Sequence, residues 1–324
     1  MSGNKEVTWK DFGYLLSRTL KPAGIVLPFG ILFVSLSITS GPFLHVTNLL
    51  NILDQQSAYL MIAAAGCLIL VSGGIDLSVG ATYALAGCVS AQYAQTHSVW
   101  VSVVVGLVLG IVVGAINGLI VTFLRINSLI ATLATSFVIG GLGSKLTKGN
   151  LIVLTQKPQY GSIAQTTWFG VTTSIWIMVV LVIALSILLT RTTIGRYMIA
   201  SGGNAQAARL AGVRVYLIRI IAFSISGFAA ALAGIVDASR VLSASAALGS
   251  TLAFTVLAGI VVGGTSIAGG SGSVWRTALG VLFIALIGNG FDLLGIDPLY
   301  HQIALGLILL VAVGLDALGQ SRRN

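Results

Sequence analysis

The 324-residue chain is 56% hydrophobic and only 8% charged, with a mean hydropathy of +1.01, whereas soluble domains carry roughly 25% charged residues. A water-soluble core could not absorb so much apolar surface, so most of the chain belongs in lipid and a soluble enzyme is excluded. The net charge of +9 does not point to nucleic acid either, because the basic residues are scattered over short segments instead of forming a patch.

Along the chain, the runs Gly24–Ile38, Val99–Leu124, Ser174–Thr190 and His301–Leu315 approach or exceed the ~20 residues a spanning helix needs. In lipid the backbone must be satisfied within the segment, and barrel-type alternation is absent, so these runs predict helices. Ten spans are predicted, at 23–39, 48–70, 77–94, 99–124, 128–144, 171–190, 217–236, 250–264, 273–291 and 298–315. With the N-terminus inside, 13 Lys and Arg fall in cytoplasmic segments and 4 (Lys145, Lys148, Lys157 and Arg240) in outer ones, accounting for all 17. That split follows the positive-inside rule and puts both termini in the cytoplasm. The expected fold is therefore all-α and polytopic. A cytoplasmic segment covers 1–22, a single membrane domain 23–316 and a cytoplasmic tail 317–324. The opening "MSGNKEVTWKDFGYLLSRTLKP" is too long and polar for a cleaved signal's n-region, so it is expected to be retained.

The second predicted span starts with Asn51, Asp54 and Gln55 at i, i+3 and i+4, on one side of a helix. They read as a capped interfacial helix start or as a polar lining. The same span ends in "LVSGGIDLSVGA", residues 70–81, which sets Asp76 in an apolar stretch. Gly73 and Gly74 favour helix termination. Asp76 then stands where an N-cap belongs, before Leu77, Ser78, Val79 and Gly80, and can accept from orphan N–H groups, worth typically ~1 kcal/mol. Unpaired at the bilayer centre it would cost ~2.5–3.5 kcal/mol. The rival reading is a proton or ion path. Against it, most other acids sit at loops or helix ends, and His45, His97 and His301 share no metal-ligand spacing. Cys67 and Cys88 fall inside spans, where packing is the expected role. Asn117 and Asn289, each followed by glycine within an apolar span, either line a path or bond a neighbouring helix.

The segment 191–216, "RTTIGRYMIASGGNAQAARLAGVRV" and its flanks, has Gly202 and Gly203, then Asn204 as N-cap of a short helix ended by Gly212. Ala205, Ala207, Ala208 and Ala211 keep that helix slim enough to enter a partner's groove, and Arg196 and Arg209 offer bidentate contacts to carboxylates. The bland alternative is a solvated loop whose arginines only set topology. Internal repetition is faint: "VSGGIDLS" and "VVGGTSIAGG" both follow apolar helices, but their distances to the next Asn-Gly differ, 44 and 26 residues.

"SGGIDLSVGA", "GAINGLIVTFLRINSLIATLAT", "GRYMIASGGNAQAARLAG" and "VVGGTSIAGGSGSV", in this order, resemble the permease subunits of bacterial ABC importers for simple sugars, the ribose, xylose and arabinose group. The resemblance covers nearly the whole chain. It implies ten helices in a fold of the cobalamin-importer type, in the inner membrane, working as a homodimer or heterodimer of permeases. It also implies a cytoplasmic ABC ATPase that binds the ATP and a periplasmic or extracellular sugar-binding protein that delivers the solute. The permease itself would be no enzyme and hold no cofactor, and G-x-x-x-x-G-K-[ST] has no match in the chain. Under this resemblance Gly73, Gly74, Asp76, Ser78 and Gly80 form the signature helix break. Gly195, Arg196, Gly202, Gly203, Asn204, Ala208, Arg209 and Gly212 form the ATPase-docking block. Asn51, Asp54, Gln55, Asn117 and Asn289 become candidates to line a sugar's passage, since amides and carboxylates supply donors and acceptors.

The chain departs from the family where Ala253 and Thr255 replace acidic residues before "VVGGTS", and where Arg276 replaces a glycine beside Trp275. These departures leave the sugar and the symmetry of the pair open. The expected function is the passage of a monosaccharide or similar polyol, powered by ATP on another chain. The alternatives are an ion-gradient-driven secondary transporter and a membrane scaffold.

Overall fold

The computed structural model describes residues 24–249, 251–297 and 299–321; the predicted N-terminal segment 1–22 and the tail residues 322–324 lie outside them. Its helices are α1 (Val26–Thr39), α2 (Val46–Val71), α3 (Val79–Ala94), α4 (Val99–Phe123), α5 (Ser128–Thr147) and α6 (Thr173–Arg191). They continue with α7 (Thr193–Gly203), α8 (Ala205–Leu210), α9 (Val215–Val241), α10 (Leu252–Val262), α11 (Val274–Leu293) and α12 (Leu299–Ser321). Among the described residues, six of them, α2, α4, α5, α6, α9 and α11, are long and apolar enough to cross a membrane. The chain is a polytopic helical membrane protein. Each predicted span overlaps one helix, but α1, α3 and α10 are short, with 14, 16 and 11 residues. The segment 191–216 is no loop: α7 and α8 fill most of it.

The bundle has two ends. At one, α2 finishes against α7, and Gly202 abuts the carbonyl of Val71. At the other lie short strands: β1 (Ile152–Val153) pairs antiparallel with β4 (Ser243–Ala244), and β2 (Thr167–Trp168) with β3 (Val171–Thr172). We call these the junction end and the hairpin end. At the hairpin end, Tyr160 is fully buried in the 3-10 turn Pro158–Ile163. Its hydroxyl donates to Ser90 Oγ at 2.8 Å, and its carbonyl accepts from Ser239 Oγ at 2.6 Å. The β2–β3 tip has both central residues at positive φ, Phe169 at 54° and Gly170 at 77°, as a two-residue type I′ turn requires.

Lipid gives helices no hydrophobic reason to associate, so close backbone packing must hold them together. The contact between α4 and α9 shows how this sequence does it. Gly106, Gly110, Gly114 and Gly118 recur every fourth residue along one face of α4. A side chain at Gly110 or Gly114 would run into the backbone of Gly227 or Phe223 on α9, and a Cβ at Gly118 would lie 2.8 Å from Ile220 Cα. The opposite face of α4, with Val104, Val108, Ile111 and Val112, is exposed. That is the division expected of a helix with protein on one side and lipid on the other.

Candidate functional site

The break between α2 and α3 is built by the two glycines as the sequence implies. Gly73 has φ +82°, its N–H donates to Leu70 O at 2.9 Å, and the Gly74 N–H reaches Ile69 O at 3.0 Å. This pair of bonds satisfies carbonyls that the helix end would otherwise orphan. The same device recurs after α10. There Gly264 has φ +84°, with bonds from Gly264 N to Val261 O (2.8 Å) and from Thr265 N to Ile260 O (3.3 Å).

Asp76 sits two residues before the N-cap of α3, which is Ser78, and the helix opens at Val79 instead of Leu77. The expected N-cap geometry is thus replaced by an i→i+2 turn. Asp76 Oδ1 accepts from the Ser78 N–H at 2.9 Å and from Ser78 Oγ at 2.6 Å. Its Oδ2 accepts from Ser226 Oγ of α9 at 2.9 Å, and Asn117 Nδ2 of α4 donates to Ser78 Oγ at 2.7 Å. On either side of the acid, Ile75 N–H donates to Ser128 Oγ and Leu77 N–H to Thr132 Oγ1 of α5, each at 3.0 Å. One carboxylate therefore ties the broken segment to α9 and, through Ser78, to α4. It also borders a crevice of about 20 Å³ lined by Gly66, Val79, Ala253, Val256 and Ile260 among others. That is room for about one water and far too little for a sugar. Gly80 is needed for close approach, since a Cβ there would strike the carbonyl of Gly249.

Three glycine-rich segments converge at the junction end. Gly202, near the end of α7, lies on the Val71 carbonyl, and a Cβ on it would sit 2.7 Å from Gly270 N. Gly270 N donates across the junction to Val71 O at 2.9 Å. A Cβ on Gly269 would come within 3.0 Å of Gly73 Cα and 2.9 Å of Gly202 O. The helix break, the end of α7 and the loop after α10 thus touch backbone to backbone, with no side chain to absorb a shift.

A family model described as "Branched-chain amino acid transport system / permease component" matches residues 48–313. The chain belongs to this permease family. The permease is 36% identical over 302 residues to the L-arabinose transport system permease protein AraH of Escherichia coli (strain K12), covering 93% of this chain and 92% of that one. It is 36% identical over 290 residues to the ribose import permease protein RbsC of the same strain, covering 88% and 90%. To the probable ABC transporter permease protein YphD, also from that strain, it is 37% identical over 310 residues, covering 95% and 92%. No solved structure matches it.

In this permease the expected docking block forms one unit with the junction. Asn204 caps α8, its Oδ1 accepting from Gln206 N at 3.0 Å and Ala207 N at 2.9 Å. Gly212, at φ +85°, follows the helix end. Gly195 packs on the Leu188 and Leu189 carbonyls, Ala208 is buried, and Gly203 is exposed. Arg196 and Arg209 are exposed, Arg209 Nε donating to Ala205 O at 3.1 Å. Beside them Leu210 is 86% exposed and Tyr197 is exposed as well. Exposed apolar and guanidinium-bearing side chains thus occur together on α7 and α8.

The five passage candidates do not gather. Asn51 and Gln55 are exposed on α2, whereas Asp54 turns to the head of α6 and accepts from Thr172 Oγ1 at 2.7 Å and from Ser174 Oγ. Asn117 is 1% exposed and belongs to the Asp76 network. Asn289 exchanges amide bonds with Asn48, at 2.9 and 3.2 Å, joining α11 to α2. Cys67 lies 3.4 Å from Thr265 Oγ1, which is 3.1 Å from Thr277 Oγ1, a buried polar chain from α2 to α11. At the departures from the family, Ala253 is buried on the Asp76 crevice and the Arg276 guanidinium stands 5.5 Å over the Trp275 ring.

Sequence reading missed one polar cluster. Tyr83 OH of α3 donates to Asp237 Oδ2 of α9 at 2.5 Å, and Arg240 grips Asp237 Oδ1 through Nη2 at 2.7 Å and Nε at 3.1 Å. The i, i+3 spacing of Asp237 and Arg240 was the available signal, and only proximity in space brings Tyr83 to them.

Proposed function

We propose that the chain is the membrane subunit of an ATP-driven importer, passing a monosaccharide or similar polyol that a soluble binding protein delivers. The observation that carries this reading is similarity along almost the full length to permeases named for L-arabinose and ribose import. On this reading the junction end is cytoplasmic, both termini lie there, and the chain crosses the inner membrane of a bacterium ten times in a fold of the cobalamin-importer type. An ABC ATPase docks on α7 and α8, with Leu210 entering its groove and Arg196 and Arg209 meeting acidic side chains. Movement of α7 is transmitted at Gly202 to the α2 break and the loop after α10, because these backbones touch. Asp76 holds the break together as part of a hydrogen-bonded tie, not as a carrier of protons.

The stated partners give a direct test. Gentle purification followed by native mass measurement is expected to give two permeases with two ATPases. A permease that never brings an ATPase with it would contradict the proposal, and two permeases of different mass would identify a heterodimer.

A further inference from the structure

One face of α2 runs the length of the helix. Asn51 and Gln55 are exposed, Tyr59 is half-buried, and Ile62, Gly66 and Leu70 are buried. At spacings of three and four these residues align on a single side. The lower three line the Asp76 crevice. There the way is shut: a Cβ on Gly66 would already meet Ile260 Cδ1 at 2.6 Å. The face is thus accessible and polar near the hairpin end and sealed and apolar below.

Tyr59 stands at the boundary. It lies within electrostatic reach of Asp237, Arg240 and Tyr83. Among the described residues its hydroxyl makes no hydrogen bond with protein, whereas the Tyr83 hydroxyl is bonded to Asp237. The Asp237–Arg240 pair keeps side-chain exposures of 15% and 24%. The cluster offers a neutral set of groups: a carboxylate to accept, a guanidinium to donate, a free phenol to do either, and an aromatic face. Such a set suits an uncharged polyhydroxylated molecule, whose hydroxyls both donate and accept, better than an ion, which would leave one partner of the pair uncompensated.

We propose that Tyr59, beside the Tyr83–Asp237–Arg240 cluster, is a contact point for the hydroxyls of a sugar entering from the hairpin end, at the threshold above the sealed part of α2. The inference rests on the function proposed above and assigns residues to it. Tyr83 and Arg240 are positioning residues, which fix the Asp237 carboxylate; Tyr59 meets the solute.

The experiment uses the complete importer, permease with ATPase and binding protein, in proteoliposomes, with a panel of radiolabelled pentoses and hexoses. In Tyr59→Phe the ring and its packing stay and only the unbonded hydroxyl goes, so a structural role predicts no change in uptake. The contact role predicts that uptake of the transported sugar falls about threefold to tenfold, the loss of one hydrogen bond, at an unaltered melting temperature of the complex. Uptake equal to wild type overturns the Tyr59 assignment and leaves the importer reading standing. If the wild-type complex carries no sugar in the panel, the importer reading itself falls, and this inference with it.

Discussion

Replacing Gly202 by alanine probes the backbone junction with the smallest possible wedge. The new Cβ would fall on the Val71 carbonyl, 2.7 Å from Gly270 N and 2.9 Å from Val71 C. All are main-chain atoms, so no rotamer change can relieve the contact. Overpacking of this kind costs about 1–3 kcal/mol. The wedge also pries at the bond from Gly270 N to Val71 O, which contributes about 0.5–1.5 kcal/mol. The expected total is about 2–4 kcal/mol, concentrated where α7, the α2 break and the loop after α10 meet. Gly203 is the control. A Cβ there would find nothing closer than Gly270 Cα at 3.8 Å, so Gly203→Ala should be neutral, or stabilising through the better helix propensity of alanine. The assay is the number of sugars taken up per ATP hydrolysed by the reconstituted complex, together with its thermal midpoint. Gly202→Ala should lower both and Gly203→Ala neither. Two indistinguishable alanine variants would refute mechanical transmission through this contact.

Asp76→Asn keeps an acceptor for Ser78 and can donate to Ser226 Oγ, so uptake should survive with a stability loss below about 1 kcal/mol, whereas Asp76→Leu should cost about 2–5 kcal/mol and show as poor membrane yield. If the Asn variant is well folded but inactive, the charge itself is used. Phe169→Asn should raise the thermal midpoint in detergent, since the φ of +54° costs a bulky residue about 1–2 kcal/mol and asparagine suits the first position of a type I′ turn. A lower midpoint would mean that the exposed ring, 97% accessible, is held by something the strain argument omits. Asn204→Ala removes two accepted bonds at the head of α8 and should cost about 1 kcal/mol. It should also weaken ATPase retention during purification, and unchanged retention would argue against α8 as the docking element.

Much of the architecture was legible because lipid enforces simple rules. The long apolar runs became α1, α4, α6 and α12, and the paired glycines at 73–74 and 263–264 end their helices with the same bonding pattern. Asn204 could be read as a cap because its role is local. What failed to show was long-range. Asp76 looked like a cap for its own helix, but one of the three hydrogen bonds it accepts comes from Ser226, 150 residues away. Asn51, Asp54 and Gln55 looked like one polar face, yet Thr172 and Ser174 of a distant segment claim Asp54. The contact of Gly73 with Gly202 and Gly269 has no signature in any single stretch, since each glycine pair serves a local turn or helix end equally well. Tyr59 was hidden for a related reason. A tyrosine in an apolar helix carries no signal until the fold brings Tyr83 and Asp237 within electrostatic reach of it.

The central claim, that this permease moves nothing without chemical energy supplied through α7 and α8, is tested most directly by uptake into proteoliposomes under two conditions. With ATPase, binding protein and ATP, sugar should accumulate against its gradient. With the permease alone and an imposed proton or sodium gradient it should not. Accumulation driven by the ion gradient alone would contradict the account.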